Sequence, residues 1–157
     1  MEIGVLSDTH DNLKKLDKAV RLFNKNKVAY VLHAGDFIAP FTLDKLDKLN
    51  CNWQGVFGNN DGETQGLRQR SKNRIRKGPL RMKLGNRKIT LVHDPKTISL
   101  KRDNSDLAVF GHTHKPLVKK QNNKLLVNPG ECGGWLSGES TIALVDLDSL
   151  SARIFTI

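Results

Sequence analysis

Apolar residues in the first third of the chain alternate between short continuous runs and a helical repeat. The runs have the length and composition of buried strands, and they are "EIGVLS", "VAYVLH" and "NWQGVFG". Asp11 or Asn12 can cap a first helix, and Pro40 can start a second. Helical spacing relates Leu13, Leu16, Val20 and Phe23 in the first, and Phe41, Leu43, Leu46 and Leu49 in the second. This order predicts a β-α-β-α-β unit with parallel strands.

Farther along, the pattern changes to paired runs joined by turn residues. "LRMKL" and "KITLVH" flank Gly85-Asn86, and "PLVKK" and "LLVN" flank a second turn, so two β-hairpins are predicted. Residues 95–101 are predicted to form a short helix. "DLAVFG" is one further strand. The chain ends in two more strands, "STIALVDL" and "ARIFTI", with a turn at Asp148 and Ser149 between them.

The size of the chain suits one domain. With 157 residues, 38% of them apolar, and no Pro- or Ser-rich linker, we expect a single domain over residues 1–157. No apolar run approaches the roughly 20 residues that span a bilayer, and no basic leader precedes the first strand, which favours a cytoplasmic protein. Cys51 and Cys132 lie far apart and in no C-x-x-C pattern, which is typical of reduced thiols.

The formal net charge is +10, and the excess of basic residues is concentrated in one stretch of the chain. No acidic residue separates Glu63 from Asp94, and ten basic residues fall in that interval: Arg68, Arg70, Lys72, Arg74, Arg76, Lys77, Arg81, Lys83, Arg87 and Lys88. Such a patch can bind phosphates or attract anionic substrates. It can equally be a solvated surface, since no aromatic residue is interleaved to stack on bases. Nucleic acid bound through residues 68–88 therefore stays open as a partner.

Polar side chains follow the carboxyl ends of five predicted strands. The chain has five histidines, and four of them lie at these points. Because the carboxyl ends of parallel strands meet at one edge of an α/β sheet, where ligands bind, we expect these side chains to converge. They are Asp8, His10, Asp36, Asn59, Asp61, His93, Asp94, His112 and His114.

The spacing of these residues suits metal binding. Asp8 and His10 are separated by one residue, as are His112 and His114, and such pairs point to the same side of an extended segment. Three glycines directly precede a donor and allow sharp turns or close approach: Gly35, Gly58 and Gly111. Seven nitrogen and oxygen donors without a thiolate are too many for one tetrahedral zinc ion. They suit two ions of the manganese, iron or zinc kind.

Five segments resemble the signature blocks of the calcineurin-like metallophosphoesterase superfamily. They are "DTH", "GDF", "GNND", the histidine at position 93 and "GHTH". The short length and "NPGECGGWLSG" are similar to its small bacterial and archaeal phosphodiesterase branch. The resemblance covers Met1 to about Gly138. It implies an α/β fold, a four-layer α-β-β-α sandwich of two mixed sheets, with two metal ions at the joint end of the sheets.

The resemblance also implies which residues bind each ion. The first ion would be held by Asp8, His10, Asp36 and His114. The second would be held by Asp36, Asn59, His93 and His112, so that Asp36 lies between the two. Mn²⁺ is the expected metal, and Ni²⁺, Zn²⁺ and Fe are alternatives. His33 ends a strand just before "GDF" and is interpreted as a core residue.

The implied activity is hydrolysis of a phosphodiester by a hydroxide that two metal ions activate. Asp36 and Asn60 are the predicted catalytic residues, and Asp61 is expected to stabilise a turn. Much of the superfamily has a histidine at the position of Asn60, near the substrate phosphate. An amide can hydrogen-bond a phosphate oxygen but cannot donate a proton at neutral pH, so substrates with poor leaving groups are disfavoured unless a metal-bound water or another residue supplies the proton. The alternative is that Asn60 is only a turn residue.

Trp135 lies in the glycine-rich segment and has two interpretations. It can stack on a base or aryl leaving group, which makes it a substrate-binding candidate beside Asn60. Alternatively, it can fix the loop to the body of the protein or to a second subunit, as a buried tryptophan often does. A homo-oligomer therefore stays open.

Two alternatives to a small-molecule phosphodiesterase remain. One is a non-catalytic, metal-binding scaffold for protein interaction on the same fold. The other is a nuclease that binds through the basic residues 68–88. The presence of all seven candidate ligands favours an enzyme, because each missing donor weakens metal affinity or activity by roughly 10-fold or more.

Overall fold

The first half of the chain alternates strands with helices. The computed structural model describes residues 1–99 and 102–157. Its first elements are β1 (Glu2–Leu6), α1 (Leu13–Lys25), β2 (Tyr30–His33), a 3-10 helix (Pro40–Thr42), α2 (Leu43–Leu46), β3 (Asn52–Val56), α3 (Thr64–Arg70) and β4 (Ile75–Arg76). The predicted β-α-β-α-β order is confirmed.

The second half is made mostly of strands. They are β5 (Leu80–Leu84), β6 (Arg87–Leu91), β7 (Leu107–Val109), β8 (Leu117–Gln121), β9 (Lys124–Asn128), β10 (Thr141–Asp146) and β11 (Ser151–Thr156). Both predicted hairpins form, as β5–β6 and β8–β9. Of the helix predicted over 95–101, the structure has a 3-10 helix at Pro95–Thr97, and residues 100 and 101 lie outside the described residues.

The strands form two mixed sheets. In the first, of order β11-β10-β1-β2-β3-β4, strands β1 to β4 are parallel and β10 and β11 are antiparallel neighbours. In the second, of order β5-β6-β7-β9-β8, strands β6, β7 and β9 are parallel. This confirms the α/β class with two mixed sheets. The parallel strands of both sheets are the ones after which the candidate ligands lie.

Apolar side chains fill the space on both faces of the first sheet. On its helical side, Phe23 of α1 packs in one buried cluster with Val31 and Trp53. On the other side, residues such as Ile3 and Leu91 form the cluster between the sheets. A smaller cluster covers the far face of the second sheet and consists of Val92, Ala108, Phe110 and Leu126, with Ile98 packed on it. Packing between the sheets therefore holds them against each other.

The second helix is shorter than predicted. The helix ends at Leu46, and the side chain of Asn24 hydrogen-bonds the non-helical residues that follow. Asn24 Nδ2 donates to the Lys48 carbonyl (2.8 Å), and Asn24 Oδ1 accepts from Asn50 N (2.9 Å). The start of the predicted second helix, Pro40–Thr42, is a 3-10 helix, which has three residues per turn. Phe41 therefore lies in a 3-10 turn and not in the predicted α-helix, and its ring is 53% exposed.

Two predictions from composition bear on the chain as a whole. Cys51 and Cys132 are free thiols, as predicted, and burial raises the pKa of Cys132 to about 12. Across residues 1–99 and 102–157, every helix is too short or too polar to cross a membrane.

Replacing Phe23 and Phe41 in turn tests this account of the two helices. Phe23→Ala removes a fully buried ring, so we expect it to lower the free energy of unfolding by about 3–5 kcal/mol. Phe41→Ala removes a half-exposed ring and is expected to cost less than about 1 kcal/mol. Denaturant unfolding of both variants measures the difference. Equal losses would mean that Phe41 is packed as fully as Phe23.

Candidate metal centre

All seven candidate ligands lie together at one edge of the molecule. They follow the parallel strands β1, β2, β3, β6 and β7, so both sheets contribute to the same place. Contacts join the sheets there: His93 Nδ1 lies 2.7 Å from the Ala34 carbonyl oxygen, and His112 N donates to Asp8 Oδ2 (3.2 Å). The convergence predicted from the strand ends is confirmed.

Four of the residues form a first group around Asp8. The ligand atoms of Asp8, His10, Asp36 and His114 all lie within 4.8 Å of one another. His114 Nε2 is 3.3 Å from Asp8 Oδ1, and His10 Nε2 is 4.0 Å from the same oxygen. Two carboxylates and two imidazoles at these separations can surround one divalent ion.

A second group forms around Asn59. Its Oδ1 lies 2.9 Å from His93 Nε2 and 2.9 Å from His112 Nδ1. Because His93 Nδ1 faces the Ala34 carbonyl, it takes the proton and leaves Nε2 with a free lone pair on the side of Asn59. An amide oxygen and two imidazoles therefore face a common point.

Asp36 lies between the two groups. Its Oδ2 is 3.6 Å from His10 Nε2 of the first group and 3.5 Å from His93 Nε2 of the second. Its side chain is almost fully buried. One carboxylate is therefore within reach of two neighbouring cation positions.

Some of the candidate ligand atoms have no hydrogen-bond partner in the described part of the chain, and a bound cation would take the place of one. Among the described residues, Asp8 Oδ1 and His10 Nε2 are buried and have no aligned hydrogen-bond partner. Leaving such polar atoms unpaired costs about 1–3 kcal/mol each. A divalent ion would satisfy the carboxylate oxygen and the imidazole nitrogen together, so the residues present fit a metal of the kind that the sequence predicts.

Electrostatics at the first group favour positive charge. The Asp8 carboxylate beside His114 raises the pKa of that imidazole to about 9, against the effect of burial. In the metal-free protein His114 is then largely protonated at neutral pH. A metal ion that binds there has to displace this proton, since an imidazole coordinates in its neutral form.

Backbone strain is concentrated in the same residues. Five of the seven candidates have φ in the left-handed region: Asp8 (53°), His10 (42°), Asp36 (60°), His112 (66°) and His114 (57°). Such a conformation costs a residue other than glycine about 1–2 kcal/mol. The sharp reversals it produces turn each side chain back over the strand end, toward the common centre.

Two glycines allow the loops to approach one another. A Cβ atom on Gly58 would lie 2.0 Å from Asp36 Oδ1, and one on Gly111 would lie 2.7 Å from Asp8 Oδ2. Any side chain at these positions would displace the carboxylates. The prediction that these glycines permit close approach is confirmed, and the groups approached are candidate ligands together with the Ser7 hydroxyl, 1.9 Å from a Cβ on Gly111.

Asp61 holds the loop that carries Asp36. Its carboxylate accepts from the N–H groups of Asp36 (3.1 Å), Phe37 (2.7 Å), Ile38 (2.8 Å) and Gly58 (2.7 Å). Burial raises the pKa of Asp61, and these hydrogen bonds oppose the rise. The predicted turn-stabilising role is confirmed, and it extends over two loops rather than one.

His33 lies behind the site and not in it. It is fully buried, its ring stacks on Phe37 with centroids 3.6 Å apart, and Nδ1 accepts from Gly35 N (3.2 Å). Burial lowers its pKa well below the ordinary value, so the ring is neutral. The interpretation as a core residue is confirmed.

Asn60 and Trp135 lie at the rim of the site. Asn60 is exposed and donates to both oxygens of Asp36, from its backbone N (2.9 Å) and from Nδ2 (2.8 Å). Trp135 is 65% exposed, and its Nε1 donates to the His10 carbonyl (3.1 Å). Trp135 is therefore not buried against the body of its own chain, and its indole is available to other molecules.

Glu131 lies beside the first group of candidate ligands, a position that the sequence did not predict. Its carboxylate is fully buried, and Oε2 lies 3.3 Å from His114 Nδ1. Burial opposes its ionisation, but backbone N–H donors from residues 136 and 137 lower the pKa of Glu131 to about 2. A carboxylate within a glycine-rich loop was the signal available in the sequence.

The basic residues of 68–88 are partly neutralised. Arg70 and Arg74 pair with Asp47 (2.8 and 3.7 Å), and Arg81 pairs with Asp103 (3.3 Å). They are distributed from α3 to β6, so they extend over both sheets. Binding of nucleic acid through this stretch stays a prediction.

The chain matches a known family over most of its length. The family model of the calcineurin-like phosphoesterase superfamily domain matches residues 1–150. A phosphodiesterase of Methanocaldococcus jannaschii is 32% identical over 161 residues, which cover 98% of this chain and 97% of the relative.

Solved structures share the fold. An archaeal phosphodiesterase superimposes with a TM-score of 0.93 at 32% identity, over 100% of both chains. Vps29 of Entamoeba histolytica, solved in complex with Zn²⁺, has a TM-score of 0.71 at 22% identity, over 100% of this chain and 98% of that one. At 22% identity, the similarity to Vps29 shows a shared fold and nothing further.

Asp61→Asn tests whether the four N–H donors hold the Asp36 loop. The amide keeps one acceptor oxygen and turns a donor toward backbone N–H groups, so we expect a loss of about 2–5 kcal/mol in the free energy of unfolding of metal-free protein. Asp44→Asn is the control, because it removes only a surface pair with Arg70, worth about 0–1 kcal/mol. Denaturant unfolding measures both, and equal losses would contradict the role of Asp61.

Proposed function

The chain belongs to the calcineurin-like phosphoesterase superfamily, and on this basis we propose that it is a phosphodiesterase that works with two divalent metal ions. The observation that carries the proposal is the position of Asp36. One of its carboxylate oxygens lies about equally far from a histidine of each donor group, at 3.6 and 3.5 Å. A single ion does not require a carboxylate shared in this way, whereas two neighbouring ions do.

We assign one ion to each donor group. Asp8, His10, Asp36 and His114 would hold the first ion, and Asp36, Asn59, His93 and His112 the second. All donors are nitrogen or oxygen, which suits Mn²⁺, with Ni²⁺, Zn²⁺ or Fe as alternatives. Two divalent ions supply Lewis acidity at a phosphate and lower the pKa of a water, so that hydroxide is present at neutral pH.

The side chains of the protein prepare the site for a phosphate. Asp36 and Asp8 would reduce the repulsion between two bound cations, and the Ala34 carbonyl fixes the tautomer of His93. Asn60 Nδ2 donates to Asp36, and the second N–H of this exposed amide would be the donor for a phosphate oxygen. Because Asn60 has no acidic proton, the leaving oxygen has to depart without a proton from this residue.

A phosphodiester is the substrate class that best fits these properties. The relative at 32% identity is a phosphodiesterase. The exposed indole of Trp135 beside His10 offers a surface on which an aryl or base substituent of a diester can stack. Cytoplasmic location and a homo-oligomer stay predictions.

Adding metals back to stripped protein tests the activity. We expect turnover of an aryl phosphodiester to return with Mn²⁺ and to exceed that of the matching monoester, with Ni²⁺, Zn²⁺ and Mg²⁺ compared separately. Asp36→Asn should abolish this turnover, a loss of about 100-fold or more, because both sites lose a shared anionic ligand. Asp47→Asn, in a surface ion pair, is the control. Full activity of Asp36→Asn would overturn the two-metal proposal, and absence of turnover with two ions bound would favour a non-catalytic scaffold.

Asn60→His tests the missing general acid. An imidazolium at this position can protonate a leaving oxygen, so we expect the rate for a diester with an alkyl leaving group to rise about 10-fold or more relative to an aryl one. The gain should diminish as pH rises through the pKa of the new histidine, ordinarily near 6.5. Asn60→Ala removes the amide without adding an acid and serves as the control. An unchanged alkyl-to-aryl ratio in Asn60→His would show that the leaving group is protonated by another route.

A further inference from the structure

The loop from Glu131 to Ser137 contacts three of the candidate ligands of the first ion. Gly133 N donates to the Asp8 carbonyl (2.9 Å), and Trp135 Nε1 donates to the His10 carbonyl (3.1 Å). Glu131 Oε2 lies 3.3 Å from His114 Nδ1. The loop therefore follows the outline of one metal site and has no such contact with Asn59, His93 or His112 in the described structure.

Glu131 is the point at which this loop is fixed. Oε1 accepts from Trp135 N (2.7 Å) and Leu136 N (3.0 Å), and Oε2 accepts from Ser137 N (2.7 Å). A fully buried carboxylate is costly unless charge-assisted hydrogen bonds compensate it. The three consecutive N–H groups do so, and in return the carboxylate fixes the backbone that carries Trp135.

The same carboxylate lies beside Nδ1 of His114, the ring nitrogen that does not face Asp8. Nδ1 is buried, and among the described residues it has no aligned hydrogen-bond partner; Glu131 Oε2 is at ion-pair distance. Nε2, on the other side of the ring, faces Asp8. In metal sites, a carboxylate commonly accepts from the second ring nitrogen and so keeps the first free for the metal. Glu131 can hold His114 in that tautomer.

We propose that Glu131 is a positioning residue that couples cation binding at Asp8, His10, Asp36 and His114 to the conformation of the loop 131–137. This rests on the ligand set of the proposed function and not on turnover. A cation on Nε2 would fix the orientation of the His114 ring, so that its Nδ1–H aligns with the Glu131 carboxylate 3.3 Å away, and that carboxylate holds the backbone of Trp135 at the rim. Coupling of this kind is reciprocal, so fixing the loop strengthens cation binding.

A change in the conformation of this loop can be observed at its tip. Trp135 and Leu136 are 65% and 82% exposed, although both are large and apolar. The other tryptophan, Trp53, is 2% exposed, so a soluble quencher such as acrylamide reaches Trp135 selectively. Tryptophan quenching in the native chain therefore reports on the loop without a further substitution.

Titration of metal-free protein with Zn²⁺ tests the coupling, and Zn²⁺ suits the test because its filled d shell is redox-inactive. Calorimetry measures affinity and stoichiometry, and acrylamide quenching follows Trp135. We expect Zn²⁺ to protect Trp135 in the native chain. Glu131→Gln should weaken one of two binding events by about 10-fold or more and remove the protection even when Zn²⁺ is saturating.

Glu139→Gln is the matched control, because Glu139 lies just past the same loop and its side chain has no acidic or basic partner within residues 1–99 and 102–157. It should bind Zn²⁺ and protect Trp135 as the native chain does. If Glu131→Gln is unfolded by circular dichroism, His114→Ala replaces it as the test and His10→Ala is its control, since each removes one candidate ligand of the first group but only His114→Ala removes the link to Glu131. At saturating Zn²⁺, only His114→Ala should lose the protection of Trp135.

Two results would overturn the proposal. One is that Zn²⁺ binds the native chain without any change in quenching of Trp135. The other is that folded Glu131→Gln, or His114→Ala, shows native protection. Neither readout requires turnover, so an inactive protein that shows Glu131-dependent protection would contradict the proposed activity and leave the coupling intact.

Discussion

The carboxylate of Asp61, which accepts four backbone N–H groups from two loops, is the interaction on which the site depends. It joins the turn after β2, through Asp36, Phe37 and Ile38, to the turn after β3, through Gly58. Strand pairing fixes β2 against β3 only as far as His33 and Gly55. Beyond that point the hydrogen bonds to Asp61 decide where Asp36 lies, and therefore whether one carboxylate can serve two groups of donors.

The same loops keep the ligand residues in a conformation that the isolated chain would avoid. Left-handed φ values at five candidate ligands together oppose folding by several kcal/mol, at about 1–2 kcal/mol each. Main-chain bonds across the site hold them: Asp8 N to the Gly35 carbonyl, His10 N to the Asp36 carbonyl and Gly111 N to the His93 carbonyl. The buried layers between the sheets stabilise the strands from which these loops leave. Strain at the site is thus balanced by packing away from it.

The sequence was informative where function follows from strand position. Asp8, Asp36, Asn59, His93 and His112 were predictable because parallel strands bring their carboxyl ends to one edge. The second helix begins at Pro40 as predicted, but as a 3-10 helix, because periodicity cannot distinguish a 3-10 turn from the start of an α-helix. Glu131 was missed for a different reason. Its role depends on a loop that returns to His114, 17 positions earlier, and no local pattern encodes that return.

The two donor groups differ in charge, and this difference bears on how a phosphate would enter. The first has Asp8 and Asp36, with the buried carboxylate of Glu131 behind His114. The second has neutral donors apart from the shared Asp36, and its His112 is exposed. A divalent cation at the first group would be largely neutralised, while one at the second would keep more of its positive charge on the open side. An anionic diester that approaches from solvent is attracted to the incompletely neutralised cation, because the interaction grows with uncompensated charge and with the low dielectric of the buried wall. If two ions bind as proposed, the first group would therefore retain its metal more tightly, and the ion at the second group would attract an anion more strongly.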